Sequence, residues 1–253
     1  MSVPRFHYAG LADPPEPGAQ TTPSSRPIEL SAAEARHALG ARRLRVGEPV
    51  VLFDGCGTEA DARIVSANGR ERLCVELDEC RQVPRPSASC LTVAVAAAKG
   101  SRQIWLTEKL TELGVGAIWV VNFARSAARA GGATVERWRR RAVEAAKQSQ
   151  QAWLPQIVMQ QDLNAVLEQA SSFELLLVGG PGRPLLAALR KAGEPRSILI
   201  LIGPEGGLTA QETAAAKAAG FQEVRVGGTT LRVETAAVAA ASVIVAYADA
   251  LGG

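Results

Sequence analysis

Residues 199–212 read LILIGPEGGLTAQE, an apolar run that stops in a loop of three glycines, one proline and one carboxylate. Thr209 and Glu212 have capping-box spacing, in which each side chain satisfies a backbone N–H of the other residue, so a helix is expected to begin there. An apolar strand, a glycine-rich loop and a helix form the repeating unit of an α/β sheet. The stretch therefore predicts an α/β domain.

The loop is suited to approach a ligand closely. The glycines at 203, 206 and 207 tolerate positive φ and leave the backbone open to contact. The pattern matches neither G-x-G-x-x-G nor G-x-x-x-x-G-K-[ST], and Glu205 would repel an anion. A cationic or neutral ligand therefore suits the loop better than a phosphate, and a tight turn without a ligand is the alternative.

The rest of the C-terminal two thirds repeats this alternation. Wholly apolar strands that alternate with helices indicate a parallel sheet covered on both faces, with ligands bound beyond the carboxyl ends of its strands. The predicted strands are 91–98, 117–123, 173–178, 197–202 and 222–226. The predicted helices are 102–113, 134–150, 162–170, 184–192, 210–219 and 234–250.

Two other predicted strands also run into glycine-rich segments. Strand 173–178 is followed by GGPGRP (179–184), and strand 222–226 by GGTTLRVET (227–235). Because the carboxyl ends of parallel strands meet at one edge of a sheet, the three loops are expected to form one pocket.

The N-terminal part has a different pattern. Short β-like runs at 50–53, 60–65 and 73–77 are separated by turns, which is typical of a small β-barrel or sandwich. VPRPSAS, within 83–90, is typical of a linker. We predict a β domain over 1–82, a linker over 83–90 and the α/β domain over 91–253.

Charge is unevenly distributed along the 253 residues. The net charge is only +3, but residues 99–147 contain ten basic and four acidic side chains, including ERWRRR at 136–141. A local basic face favours a polyanionic partner such as RNA, although a solvated helix face has the same composition.

Several features indicate a cytoplasmic protein without a metal site. The segment at the N-terminus lacks the apolar run of a secretory signal. Residues 235–248 are uncharged but shorter than the ~20 residues of a membrane span, which favours a buried helix. The cysteines have no metal-like spacing and are expected to be reduced thiols; they are at 56, 74, 80 and 90.

Six motifs together closely resemble the bacterial small-subunit (16S) ribosomal RNA uridine N3-methyltransferases, of the trefoil-knot (SPOUT) class. The most specific are LIGPEGGLTAQE (201–212) and LRVETAAVAA (231–240). The others are KGSRQIWLTEKLTELGV (99–115), RAVEAAKQSQQAWLP (141–155), HALGARRLRVGEPVVLFDG (37–55) and VPRFHY (3–8). The resemblance thus covers nearly the whole chain.

The resemblance implies a fold and an activity. It implies an α/β trefoil-knot methyltransferase domain with a parallel sheet, preceded by a small PUA-like RNA-binding β-barrel. It also implies S-adenosylmethionine bound in the knot and a homodimer paired through the knot domain. The implied methyl acceptor is N3 of a uridine in the decoding region of 16S rRNA, position 1498, in the 30S subunit.

The resemblance and the three loops together give the candidate site. We expect Arg232 to stabilise the developing uridinate and Glu234 to orient Arg232 or take the proton; a helix-edge salt bridge and a helix cap are their structural alternatives. The candidate RNA-binding residues are Arg5, Arg43, Arg102, Arg137, Arg140 and Arg141. The candidate cofactor-binding residues are Val178, Gly179, Gly180, Ile202, Gly203, Glu205, Gly206, Gly207, Val226, Gly227, Leu231, Thr235 and Ala236.

The chain departs from the family's usual pattern at five positions. Lys147 and Gln151 stand where Glu and Arg are usual, Gly228-Thr229 replaces a Pro-Arg-like pair, and Val233 replaces a Thr. The individual RNA contacts are therefore expected to differ in detail.

Other functions fit less well. A dinucleotide-binding enzyme lacks its glycine fingerprint after strand 91–98, and a Ser-His-Asp hydrolase lacks G-x-S-x-G. The two histidines, His7 and His37, both lie in the N-terminal domain. The remaining alternatives are an RNA-binding assembly factor without catalysis and a SPOUT methyltransferase that acts on another RNA.

Overall fold

A computed structural model describes residues 3–11, 27–126 and 132–252. The chain divides into two compact units, Met1–Arg85 with Ala146–Trp153, and Pro86–Ala145 with Leu154–Gly253. The boundary after Arg85 lies inside the predicted linker. The first unit also takes in a segment from the middle of the chain, which linear domain bounds do not include.

The first unit contains a five-stranded sheet in the order β1-β3-β4-β5-β2. Strands β3, β4 and β5 are antiparallel neighbours, and β1 pairs parallel to β3. Helix α1 (Ala32–Arg36) is capped by Ser31, whose hydroxyl accepts from the Glu34 N–H, and a short π-helix, His37–Ala41, follows it. The strands are β1 (Arg5–His7), β2 (Ile28–Glu29), β3 (Pro49–Phe53), β4 (Thr58–Asn68) and β5 (Arg72–Gln82).

Trp153 packs the second segment of this unit, Ala146–Trp153, against the sheet. Its indole N–H donates to the Val83 carbonyl oxygen at 3.0 Å. Gly57 adopts φ +102°, and a Cβ there would lie 2.2 Å from the Trp153 ring. Glycine at 57 is therefore required both by the backbone conformation and by the indole that covers it.

The second unit is built on six parallel strands in the order β11-β9-β10-β6-β7-β8, which confirms the predicted parallel sheet. Every residue of β6, β7 and β10 is buried, as expected for a sheet covered on both faces. The strands are β6 (Leu91–Ala96), β7 (Ala117–Val121), β8 (Gln156–Gln160), β9 (Leu175–Pro184), β10 (Ile198–Ile202) and β11 (Gln222–Arg225).

In the second unit, one strand was not predicted and another was predicted too short. Strand β8 was not predicted because QIVMQ is short and only partly buried. Strand β9 continues to Pro184, so the predicted loop GGPGRP is instead a bulge within a strand. Pairing with β11 jumps from Val178 to Arg183, and a Cβ at Gly182 would lie 1.9 Å from the Glu223 carbonyl oxygen. Glycine lets the two backbones pass each other there.

Helices pack on this sheet, and all six predicted ones are present. They are α2 (Ser101–Glu112), α3 (Gly132–Ser149), α4 (Leu163–Leu167), α5 (Leu185–Ala192), α6 (Ala210–Ala218) and α7 (Val233–Gly252). The last four residues of α3 belong to the first unit. The capping box between Thr209 and Glu212 is present at the start of α6, as predicted.

Helix α7 is longer than the uncharged run that indicated it. Its span Val233–Leu251, of mean hydropathy 1.4, is long and apolar enough to cross a membrane. The prediction that this segment is too short for a membrane span is therefore wrong. One third of that span is buried. Its inner face, which includes Ala237, Ala240 and Ile244, is fully buried in the core of the second unit. That face is typical of a core helix.

Candidate functional site

A cavity of about 740 Å³ opens at the carboxyl ends of β9, β10 and β11. Its walls come from residues 179–181, 202–205, 207–208 and 225–231 and from the first turn of α7. These are the three glycine-rich segments that the sequence predicted to form one pocket. Its volume is in the range of small-molecule and cofactor sites.

The loop after β10 forms one wall of the cavity. Its turn is closed by a hydrogen bond of 2.8 Å from the Gly207 N–H to the Pro204 carbonyl oxygen, with Gly207 at φ +69°. A Cβ at Gly203 would lie 3.2 Å from the Leu208 side chain. Glycine therefore keeps this wall close to the cavity without a side chain in the way.

A buried carboxylate lies at the start of α7. Glu234 is 7% exposed, and within the described residues its Oε2 atom has no hydrogen-bond partner. Its Oε1 lies 3.9 Å from Nη1 of Arg102, which also lies 3.5 Å from Oε1 of Glu205 on the cavity wall. One guanidinium thus lies between two carboxylates, and one buried oxygen keeps its capacity to accept a hydrogen bond.

Two protein families and several known proteins match this chain. Residues 85–245 match the family described as RNA methyltransferase domain, and residues 30–78 match the RNA methyltransferase PUA domain. Ribosomal RNA small subunit methyltransferase E of Synechocystis is 32% identical over 214 residues, 83% of this chain and 69% of the relative.

The chain belongs to this RNA methyltransferase family.

Two solved structures align over almost the whole chain. A methyltransferase from Legionella pneumophila, in complex with S-adenosylmethionine, has a TM-score of 0.85 and 25% identity, and covers 97% of this chain and 98% of its own. Ribosomal RNA small subunit methyltransferase E from Neisseria gonorrhoeae, bound to S-adenosylmethionine, has a TM-score of 0.81 and 28% identity, and covers 96% and 97%.

Ten of the thirteen candidate cofactor-binding residues line the cavity, namely Gly179, Gly180, Ile202, Gly203, Glu205, Gly207, Val226, Gly227, Leu231 and Ala236. The other three do not. Val178 lines an adjoining cavity of about 630 Å³, Gly206 lies against the Arg125 side chain, and Thr235 is exposed on α7. Lining residues that the sequence did not single out include Pro181, Pro204, Leu208, Arg225 and Thr230.

The two candidate catalytic residues occupy different environments. Arg232 is exposed, and its neighbours Leu231 and Val233 line the cavity. Within the described residues, the salt bridge of Glu234 is with Arg102, and none involves Arg232. The expectation that Arg232 forms a helix-edge salt bridge therefore finds no support there.

The six candidate RNA-binding arginines fall into two groups. Arg5 is only 8% exposed, pairs with Glu59 and donates to the Gln151 carbonyl oxygen at 3.1 Å, which favours a structural role. The others are at least partly accessible: Arg102 contacts Glu205, Arg141 pairs with Glu108, and Arg43, Arg137 and Arg140 are exposed.

The structure gives the family departures distinct surroundings. Lys147, at the end of α3, is buried with its Nζ 2.6 Å from the Glu34 carboxylate, within the first unit. Gly228, Thr229 and Val233 line the cavity of the second unit. The departure at Lys147 is therefore accommodated by a buried partner. Gln151, the other departure in the first unit, accepts a hydrogen bond at its carbonyl oxygen from Arg5. The remaining three departures form part of the cavity wall.

Within residues 3–11, 27–126 and 132–252, no three His, Cys, Asp or Glu side chains are grouped to hold a metal ion. The four cysteines are free thiols.

Proposed function

We propose that this protein methylates N3 of uridine 1498 in the 16S rRNA of the 30S subunit, with S-adenosylmethionine as methyl donor. The observation that carries the proposal is the glycine-walled cavity at the ends of β9, β10 and β11, in a chain of the RNA methyltransferase family. Two relatives of nearly the same length and fold hold S-adenosylmethionine.

The residues of the cavity suit that cofactor. Its walls are glycine backbone and small apolar side chains, which can pack on an adenosine and bond it through N–H and C=O groups. The charged side chains that line it are Glu205 and Arg225. The Glu205 carboxylate tolerates a sulfonium cation, where an anionic ligand would be repelled. When bound, S-adenosylmethionine supplies an electrophilic methyl group.

The residues at the start of α7 supply the chemistry at the acceptor. Uridine N3 carries a weakly acidic proton, which must leave as the bond from N3 to the methyl carbon forms. The free Oε2 of Glu234 takes this proton, directly or through one water. The exposed Arg232 places its positive charge on O2 or O4, where negative charge develops.

The salt bridge from Arg102 helps to position Glu234. Nη1 of Arg102 lies 3.9 Å from Oε1 of Glu234 and leaves Oε2 without a partner among the described residues. One carboxylate oxygen is thus held by the guanidinium, and the other keeps its capacity to accept a hydrogen bond.

Helix α3 provides the surface for RNA. Arg137 and Arg140 are exposed on it, and neither forms a salt bridge within the described residues. Unpaired guanidinium groups on one helix are suited to the phosphates of a folded RNA. The match of residues 30–78 to a PUA domain supports a second RNA contact in the first unit.

We also propose a cytoplasmic homodimer that pairs through a trefoil-knotted domain. Helix α7 supports this, because its outer face carries small and apolar side chains such as Val238, Ser242, Val245 and Ala246 that are partly or fully exposed. Trp105, on the neighbouring α2, is 42% exposed. A second copy would cover this surface.

The deciding experiment is methylation of 30S subunits from cells that lack this modification. The purified protein is incubated with them and S-adenosylmethionine, and 3-methyluridine is mapped by nuclease digestion and mass spectrometry. One new 3-methyluridine at position 1498 is expected. Methylation elsewhere would assign a different RNA site, and cofactor binding without methylation of any RNA would favour an assembly factor.

A further inference from the structure

The loop after β10, residues 203–209, is contacted from outside the cavity by the loop that follows β7. Of residues 202–208, all line the cavity except Gly206. A Cβ at Gly206 would lie 3.5 Å from Cβ and 3.6 Å from Cδ of Arg125. Arg125 therefore packs on the side of the loop that does not face the ligand.

The Arg125 guanidinium donates hydrogen bonds to backbone carbonyl oxygens of that loop. Its Nη1 donates to the Gly206 carbonyl oxygen at 3.0 Å and lies 3.5 Å from that of Leu208. It forms no salt bridge with any described residue, although it is an exposed arginine. Its two bonds join residues on either side of Gly207, whose positive φ makes the turn.

Glu212 ties the same two loops together a second time. One carboxylate oxygen accepts from the Ala124 N–H at 2.9 Å, and the other accepts from the Thr209 N–H at 2.8 Å. Burial alone would raise the pKa of Glu212, but these N–H groups and the Arg125 charge outweigh it and hold the pKa below its ordinary value. The carboxylate is therefore an ionised bridge between the loops.

We propose that Arg125 and Glu212 are positioning residues that fix residues 203–209 in the conformation that binds S-adenosylmethionine. A loop with three glycines has many accessible conformations, and a loop that must be ordered by its ligand binds it more weakly. The two bridges order the loop before the ligand arrives. This inference rests on the proposed function only in the identity of the ligand.

The test is the affinity for S-adenosylmethionine, measured by calorimetry on the full chain without RNA. We expect Arg125→Ala to raise the Kd about 10-fold, the size of one lost charge-assisted hydrogen bond. Arg125→Lys, which restores a donor at one carbonyl, should recover part of the loss. Glu212→Gln should weaken binding as well, because its amide cannot accept from both N–H groups. The matched control is Arg190→Ala, which changes an exposed arginine on α5 that does not line the cavity.

Hydrogen exchange provides a second readout. Without ligand, Arg125→Ala should speed amide exchange in residues 203–209 and leave β6 and β10 as protected as in the wild type. An unchanged Kd and unchanged exchange in Arg125→Ala would overturn the positioning role while the proposed function stands. Absence of binding by the wild type would reject the proposed function, and the assignment of this ligand to the loop with it.

Discussion

The Nη1 atom of Arg102 lies 3.9 Å from Oε1 of Glu234, a carboxylate that is 7% exposed and keeps its other oxygen free of any described partner. The same guanidinium lies 3.5 Å from Glu205 on the cavity wall. The first turn of α2 is thereby joined to the loop after β10 and to the start of α7. One carboxylate oxygen of Glu234 is thus held by a cation, and the other keeps its capacity to accept a hydrogen bond.

Replacing Glu234 should separate catalysis from binding. We expect Glu234→Gln to lower kcat by at least ~100-fold, because the amide cannot accept the N3 proton. The Kd for S-adenosylmethionine should change little, since Glu234 is not part of the cavity wall. Single-turnover methylation of 30S subunits, with calorimetry as the control, tests this. Wild-type turnover would remove Glu234 from the chemistry.

Replacing Arg232 should also lower kcat and leave the Kd for S-adenosylmethionine nearly unchanged, but for a different reason. Arg232→Ala removes the charge that stabilises the uridinate, and the loss of such a donor typically costs ~100- to 1,000-fold in kcat. Arg232→Lys, which keeps the charge but not the fork of donors, should fall between. Near-normal turnover of the alanine variant, with cofactor binding retained, would exclude this role.

Gly207 should be sensitive to the smallest substitution. Its φ of +69° lies in the left-handed region, where alanine costs about 1 kcal/mol. Gly207→Ala should therefore distort the turn and weaken S-adenosylmethionine binding several-fold. Gly40→Ala is the matched control, since Gly40 has no positive φ and no described atom lies within 4 Å of the added Cβ. Equal affinities for the two variants would contradict a strained turn.

Breaking the buried ion pair in the first unit should destabilise that unit. Lys147 and Glu34 have side chains only 6% and 10% exposed. Lys147→Met leaves the Glu34 carboxylate buried without its cation, which should cost about 3 kcal/mol of unfolding free energy in urea. The double variant Lys147→Met, Glu34→Gln should cost less than Lys147→Met alone. Additive losses would show that the two residues are not energetically coupled.

The lowered pKa of Glu212 predicts how acid affects this protein. A carboxyl with a folded-state pKa below its unfolded value stabilises the fold above the unfolded value, about 4.3, and this stabilisation is lost as the pH falls through the folded pKa. The difference in unfolding free energy between wild type and Glu212→Gln should thus be full at pH 7 and shrink below about pH 4. A difference that grows on acidification would show that the pKa is raised.

The sequence by itself determined the local elements and much of the site. Apolar runs with helical spacers gave the parallel sheet, Thr209 and Glu212 gave the start of α6, and three glycine-rich segments indicated one pocket. These features depend on spacing within short segments, where side-chain periodicity and backbone freedom leave few alternatives. The motif resemblance indicated the family that residues 85–245 match.

Tertiary structure alone decided which individual side chains from distant segments meet. No periodicity could show that Arg125 bonds the loop after β10, that Arg102 joins Glu205 to Glu234, or that Trp153 covers Gly57. The continuation of β9 through GGPGRP likewise depends on β11, whose backbone passes over Gly182. Such contacts depend on how the strands and helices are arranged in space, because side chains far apart in the chain become neighbours only in the folded sheet.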